Sequence, residues 1–119
     1  MKKVLIIEED LNISEIFHLV LSDHFCVKIL HNTNNAYGEI EKFRPDLLLL
    51  DHWLGKAKLA ALINKLKNDN RFRKIPVIIS STDDTVTHVA EQLRADSCLP
   101  KPFDLDDLLN LVRKHLEQG

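Results

Sequence analysis

Cysteine is scarce in this chain: Cys26 and Cys98 are the two present, and neither forms a CxxC pair. That excludes a disulfide-built secreted scaffold, and both thiols are expected to be free and largely buried in a reducing compartment. Glycine and proline are also few, at 3 and 4 residues, and no linker, internal repeat or low-complexity tract divides the chain. An excess of one charge is missing as well. Lys and Arg number 16 against 18 Asp and Glu, for a formal net charge of -2, and no basic run is present. Direct nucleic-acid binding and attachment to a membrane surface therefore have no electrostatic support. The apolar run after Met1-Lys2-Lys3 stops at Glu8, too short for a leader or a membrane span. The expectation is a cytoplasmic protein, in which the glycosylation sequon Asn12-Ile13-Ser14 carries no meaning. The histidines His18, His24, His31, His52, His88 and His115 lack metal-ligand spacing and read as mostly surface or helix positions, with His52 open to a modest tuning role.

What is present is an ordinary globular balance, 45% hydrophobic and 29% charged, in a length that suits one compact domain over residues 1–119. Short continuous apolar runs occur at Val4-Leu5-Ile6-Ile7, Leu47-Leu48-Leu49-Leu50 and Val77-Ile78-Ile79. Such runs fit strands buried on both faces of a parallel sheet. Weaker runs, Phe25 to Leu30 and Ser97 to Leu99, predict two strands nearer the edges. Between them lie stripes of helical period: Ile13, Ile16, Phe17, Val20 and Leu21; Ala36, Ile40 and Phe43; Leu59, Leu62, Ile63 and Leu66; Val86, Val89, Ala90 and Leu93; Leu105, Leu108, Leu109 and Val112. Asn12 and Glu15 have capping-box spacing at the first helix. Asp104 can cap the last, with Asp106 and Asp107 near its positive end. Five strands, each followed by a helix, predict an α/β fold. It is a doubly wound five-stranded parallel sheet in the order 2-1-3-4-5, flavodoxin-like, with helices on both faces.

That topology binds ligands beyond the carboxyl ends of the strands, where the first and third diverge. Glu8, Glu9 and Asp10 follow the first strand, Asp51 ends the third, Ser80-Ser81-Thr82 ends the fourth, and Lys101-Pro102 follows the fifth. Two carboxylates about 5 Å apart repel by roughly 3 kcal/mol at an effective dielectric of about 20, so such a cluster needs a cation. Oxygen ligands without a His or Cys cluster favour a hard ion, and magnesium suits them. Glu8, Glu9 and Asp10 also fit a plain solvated loop, whereas Asp51 after four leucines needs a partner.

The segments Val4 to Asp10, Pro45 to Asp51, Ile75 to Ser81 and Leu99 to Phe103 together resemble a bacterial response-regulator receiver, over nearly the whole chain. The resemblance implies that Asp51 is the phosphoacceptor of a two-component phosphorelay. Glu8 and Glu9 match the acidic pair, Glu9 at the direct magnesium position, and Trp53 matches the donor of a backbone carbonyl to the ion. Ser81 matches the hydroxyl that bonds a phosphoryl oxygen, and Lys101 the lysine that contacts another, with a cis bond to Pro102. The implied donor is a sensor histidine kinase or a phosphotransfer protein, and the implied recipient of the signal is a downstream output protein or domain. A homodimer through the face of the fourth helix, fifth strand and fifth helix is admitted. The implied role is signalling, with self-phosphorylation and slow dephosphorylation, rather than that of an enzyme on external substrates. Several positions depart from the pattern. Glu9 replaces the usual aspartate, which predicts weaker magnesium binding, and Thr82 stands where a smaller residue is usual. Gly55 occupies a common proline position, the glycines usual after it are missing from Lys56-Ala57-Lys58, Arg94 replaces a usual glycine, and Cys98 replaces an aromatic ring. These departures support an alternative, a degenerate receiver that docks proteins without taking phosphate. A flavodoxin-like cofactor binder is opposed by the acids after the first strand, and an aspartate-based phosphohydrolase by the want of a DxD pattern there.

Overall fold

A computed structural model describes residues 1–82 and 86–117. The elements alternate throughout: β1 (Lys3–Ile7), α1 (Leu11–Leu21), β2 (Cys26–Leu30), α2 (Ala36–Phe43), β3 (Leu47–Asp51), a 3-10 turn (His52–Leu54), α3 (Lys56–Lys67), β4 (Val77–Ser81), α4 (Val86–Gln92), β5 (Ser97–Pro100) and α5 (Leu105–Leu116). The sheet order is β2-β1-β3-β4-β5 and every pair is parallel, as the alternation predicts.

The leucine run of β3 shows why continuous apolar strands are needed. Leu48 and Leu50 join Leu5, Ile7, Val77 and Ile79 in a layer completed by Ile40 of α2, Leu59 and Ile63 of α3 and Val89 and Ala90 of α4. Leu47 and Leu49 point the other way, joining Val4, Ile6, Ile78 and Leu99 against Phe17 and Leu21 of α1 and Leu108 and Val112 of α5. Successive strand residues face opposite sides, so a sheet covered on both faces must be apolar at every position. The sheet is therefore sandwiched, with α1 and α5 on one side and α2, α3 and α4 on the other.

Several local expectations are corrected. The cap of α1 is Asp10, not Asn12: Asp10 Oδ1 accepts from Asn12 N at 2.8 Å and Ile13 N at 3.1 Å. The helix starts at Leu11, so Asn12 already lies inside the first turn. Asp104 holds the cap position of α5 but makes no side-chain cap bond, while Asp106 and Asp107 do fall in the first turn. Ile16 and Leu105 are exposed, because the buried arc of α1 centres on Ser14, Phe17 and Leu21 and that of α5 on Leu108, Val112 and Leu116. Cys26 is exposed rather than buried, since it opens the edge strand β2, and Cys98 is half-buried. The side chain of Val86 and residues 83–85, which follow Thr82, lie outside the described residues.

Two loop departures have a backbone cause. Gly55 has φ 107°, which proline cannot adopt, so the chain turns from the 3-10 segment into α3 in a way the usual residue would forbid. Arg94 has φ 61° between α4 and β5, a left-handed conformation that costs a side-chain-bearing residue about 1 kcal/mol. Its guanidinium bonds Asn64 Oδ1 at 2.8 Å on the exposed surface, where a single contact offsets little of that cost. Arg94→Gly is expected to raise the urea midpoint by up to about 1 kcal/mol of stability, and Arg94→Val to lower it.

Candidate functional site

The strand ends deliver the polar residues in register. Ile7 pairs with Leu50 and Asp51 with Ser80, so Glu8, one step past β1, lies level with Asp51. By alternation Glu8 and Asp51 project to the side of Ile6 and Leu49, above the α1 and α5 layer. Glu8 is 0% exposed and Asp51 3%. Buried carboxylates need partners, and Lys101 supplies one to both. Its Nζ stands 2.8 Å from Glu8 Oε1 and 3.5 Å from Asp51 Oδ1, with its side chain 7% exposed. Lys101 is anchored by a backbone bond from its N to Ser81 O at 2.7 Å, and the Lys101–Pro102 peptide is cis.

The remaining lone pairs are largely filled from the chain. Glu8 Oε2 accepts from Asp10 N at 3.1 Å, and His31 Nδ1 meets Glu8 O at 3.1 Å. Asp51 Oδ1 caps the 3-10 turn by accepting from Trp53 N at 3.1 Å. Ser80, level with Asp51 and Leu99, has a buried hydroxyl with no hydrogen-bond partner among the described residues. Ser81 Oγ meets His52 Nδ1 at 2.8 Å.

An open cavity of about 650 Å³ lies over this group, lined by Glu8, Glu9, Asp10, Asp51, Trp53 and Lys101, together with Ile13 and Thr82. The predicted acids and the ammonium thus share one hollow. Their environments differ. Glu8 is buried and paired, Glu9 is exposed at the opening, and Asp10 is engaged as the α1 cap. Trp53 keeps its ring 70% exposed beside the cavity. Ser81 does not line this cavity. It lines a second one of about 290 Å³ with His52, Trp53, Gly55 and Lys56.

Two buried carboxylates against one ammonium leave the hollow short of positive charge. Burial pushes the Glu8 carboxyl up to about 7, reinforced by its hydrogen bond to Asp51 and by the Asp51 charge. The Lys101 and Asp10 bonds only partly offset this. That imbalance, on an all-oxygen donor set, fits a hard divalent cation. Glu8, Glu9, Asp51 and the Trp53 carbonyl could hold magnesium, which binds through one or two carboxylates and keeps waters. Among the described residues no three of the His, Cys, Asp and Glu side chains cluster tightly enough to ligate one ion together, so one or two of these carboxylates would bind it directly and the rest through water.

Sequence reasoning missed the His52–Ser81 bond. Four of the six histidines are exposed as read, but His52 and His115 are half-buried and each bonds a serine hydroxyl, Ser81 at 2.8 Å and Ser97 at 2.7 Å. Adjacency to Asp51 was the one signal that marked His52.

The raised Glu8 carboxyl has a stability consequence. The folded state holds this proton more tightly than the unfolded chain, so stability falls as pH rises from about 4.5 to about 7, by an amount on the order of 3 kcal/mol. Urea unfolding in a chelator across that window is expected to show the decline in the wild type and to show it flattened in Glu8→Gln. Titration with magnesium, followed by Trp53 fluorescence, is expected to give a midpoint in the millimolar range or weaker; a sub-millimolar midpoint would refute the effect assigned to Glu9.

Comparison with known proteins agrees with this fold. The model of the response regulator receiver domain matches residues 4–113. The transcriptional regulatory protein CrdR of Helicobacter pylori is 32% identical over 118 residues, covering 95% of this chain and 54% of that protein. The chain spans about half the length of the curated relatives it matches. The signal receiver domain of a response regulator from Bermanella marisrubri superposes with a TM-score of 0.83 at 27% identity, covering 98% of each chain. The receiver domain of the sensor histidine kinase PA1611 from Pseudomonas aeruginosa, described with a magnesium ion coordinated in its active-site cleft, superposes with a TM-score of 0.85. It is 17% identical, over 98% of each chain.

Proposed function

This chain belongs to the response regulator receiver family, and on that premise we propose that it accepts a phosphoryl group on Asp51 and signals through the modified state. The observation that carries the reading is the buried Lys101 ammonium shared between Glu8 and Asp51 at the open ends of β1 and β3. Few structural roles require a charged triad there, since a buried ion pair seldom adds net stability.

The donor in this reading is a phosphohistidine on a sensor histidine kinase or a phosphotransfer protein. A carboxylate oxygen of Asp51 attacks phosphorus in line. The new P–O bond forms as the P–N bond breaks, and the imidazole leaves with the bonding pair and takes up a proton. Lys101 Nζ, 3.5 Å from Asp51 Oδ1, turns from the carboxylate to a phosphoryl oxygen and offsets charge that develops on it. Ser81 offers a hydroxyl to another oxygen. Magnesium, when bound by the acidic residues and the Trp53 carbonyl, supplies further charge neutralisation on those oxygens. Water later hydrolyses the acyl phosphate. The added charge and acceptor oxygens are the signal, read by a downstream output protein or domain. Operation in the cytoplasm and a homodimer through α4, β5 and α5 belong to the same proposal. No helix among the described residues is long and apolar enough to cross a membrane.

A docking module that takes no phosphate is the second reading. It is favoured by Glu9, which lies exposed at the opening rather than among the buried acids, and by Thr82, which lines the same cavity. One experiment separates the two. Incubation with magnesium and acetyl phosphate, followed by intact mass, is expected to add one phosphoryl group to the wild type and none to Asp51→Asn. Lys101→Ala, checked for folding by circular dichroism, is expected to label about a hundredfold more slowly. An unmodified wild type would leave the docking reading in place.

A further inference from the structure

The proposed phosphoryl chemistry gives Ser81 a job and leaves its neighbour without one. His52 Nδ1 stands 2.8 Å from Ser81 Oγ. His52 opens the 3-10 turn directly after Asp51, and Ser81 closes β4. Strand alternation sends Asp51 to the side of Leu47 and Leu49, and Ser81 to the side of Val77 and Ile79, which belong to the opposite layer. The serine and the imidazole therefore meet on the far side of the strand ends from the Lys101 triad. They line a second cavity with Gly55, Lys56 and Trp53, the last of which also lines the acidic hollow. The start of α3, which follows this turn, reaches α4 through Lys56 Nζ on Gln92 Oε1 at 2.5 Å, and Gln92 meets His88 at 3.1 Å.

We propose that His52 is a positioning residue for Ser81. Its imidazole holds the hydroxyl away from the Asp51 carboxylate, so a phosphoryl oxygen on Asp51 gains Ser81 only as the His52–Ser81 bond breaks. This rests on the phosphoacceptor reading and adds to it a control on how readily the site switches. Competition for one hydroxyl is the mechanism, and it needs no change in the charge of the imidazole. A neutral hydrogen bond in a protein has a modest net strength, so having to break it weakens capture of the phosphoryl oxygens by about two- to tenfold. The same bond ties the acceptor loop to the end of β4, next to α4, so breaking it frees both segments to move.

The test uses beryllofluoride with magnesium as a stand-in for the phosphoryl group, with bound probe read by fluorine NMR. His52→Ala is expected to bind it about two- to tenfold more tightly than the wild type. His52→Asn, whose amide can meet Ser81 where Nδ1 does, is expected to return to the wild-type affinity. In a Ser81→Ala background, His52→Ala is expected to change nothing. Equal affinities for the wild type and His52→Ala would overturn the proposal, as would an unchanged gain in the Ser81→Ala background. In the unmodified protein, Ser81→Ala is expected to move the Nδ1 nitrogen resonance of His52, and an unmoved resonance overturns the contact itself. A wild type that binds no beryllofluoride and takes no phosphoryl group from acetyl phosphate sinks the phosphoacceptor reading and this control with it. The His52 resonance then tells a missing contact from a missing phosphoacceptor.

Discussion

Glu8, Asp51 and Lys101 form an arrangement that is paired but not balanced. Each carboxylate is removed from water, and one ammonium serves both. Hydrogen bonds to the backbone of Asp10 and Trp53 fill lone pairs without adding charge. The result is a net deficit of positive charge in the cavity at the ends of β1 and β3. Burial of this kind raises the cost of keeping both acids ionised, and Glu8 bears that cost. A site in this condition gains by taking up a cation, and the acidic hollow is the feature on which the functional reading depends.

The rest of the fold makes that arrangement hold. Parallel pairing of β1 with β3 puts Glu8 and Asp51 side by side, and β4 separates β3 from β5. Lys101 must therefore reach across the end of β4, which it does from a backbone anchored on Ser81 O. A slip of one residue in either strand would turn a carboxylate into the opposite apolar layer. The four leucines of β3 are alike on both faces and do not set the register; the cost of burying Asp51 among apolar side chains does. Asp10 completes the frame: by capping α1 it occupies the amide groups that a phosphate-binding cofactor fold would offer to its ligand.

Ser80 and Ser81 show how one step along a strand separates two fates. Ser80 lies level with Asp51 and keeps a buried hydroxyl without a hydrogen bond among the described residues. Ser81 points into the other layer and meets His52. The hydroxyl suited to the chemistry by family resemblance is thus the one that strand alternation turns from the acceptor, where it meets His52. Gly55 and Arg94, both at positive φ, mark two loop corners of the fold.

The class of fold, the sheet order and the identity of the facing acids were legible in the chain. Four leucines before Asp51 fit a doubly covered strand, and alternation with helical stripes leaves few topologies. The convergence of Glu8, Asp51 and Lys101 followed from the rule that such sheets bind at their carboxyl ends. What the chain did not show is which oxygen meets which partner. Asp10 rather than Asn12 caps α1, because helix starts are decided by the reach of a side chain and not by spacing alone. Cys26 lies exposed, because apolar neighbours do not reveal that a strand is at the edge of a sheet. The bond of His52 to Ser81 joins residues 29 positions apart. Linear order carries periodicity and composition; contacts between distant side chains exist only once strand register and the turn after Asp51 have set their directions.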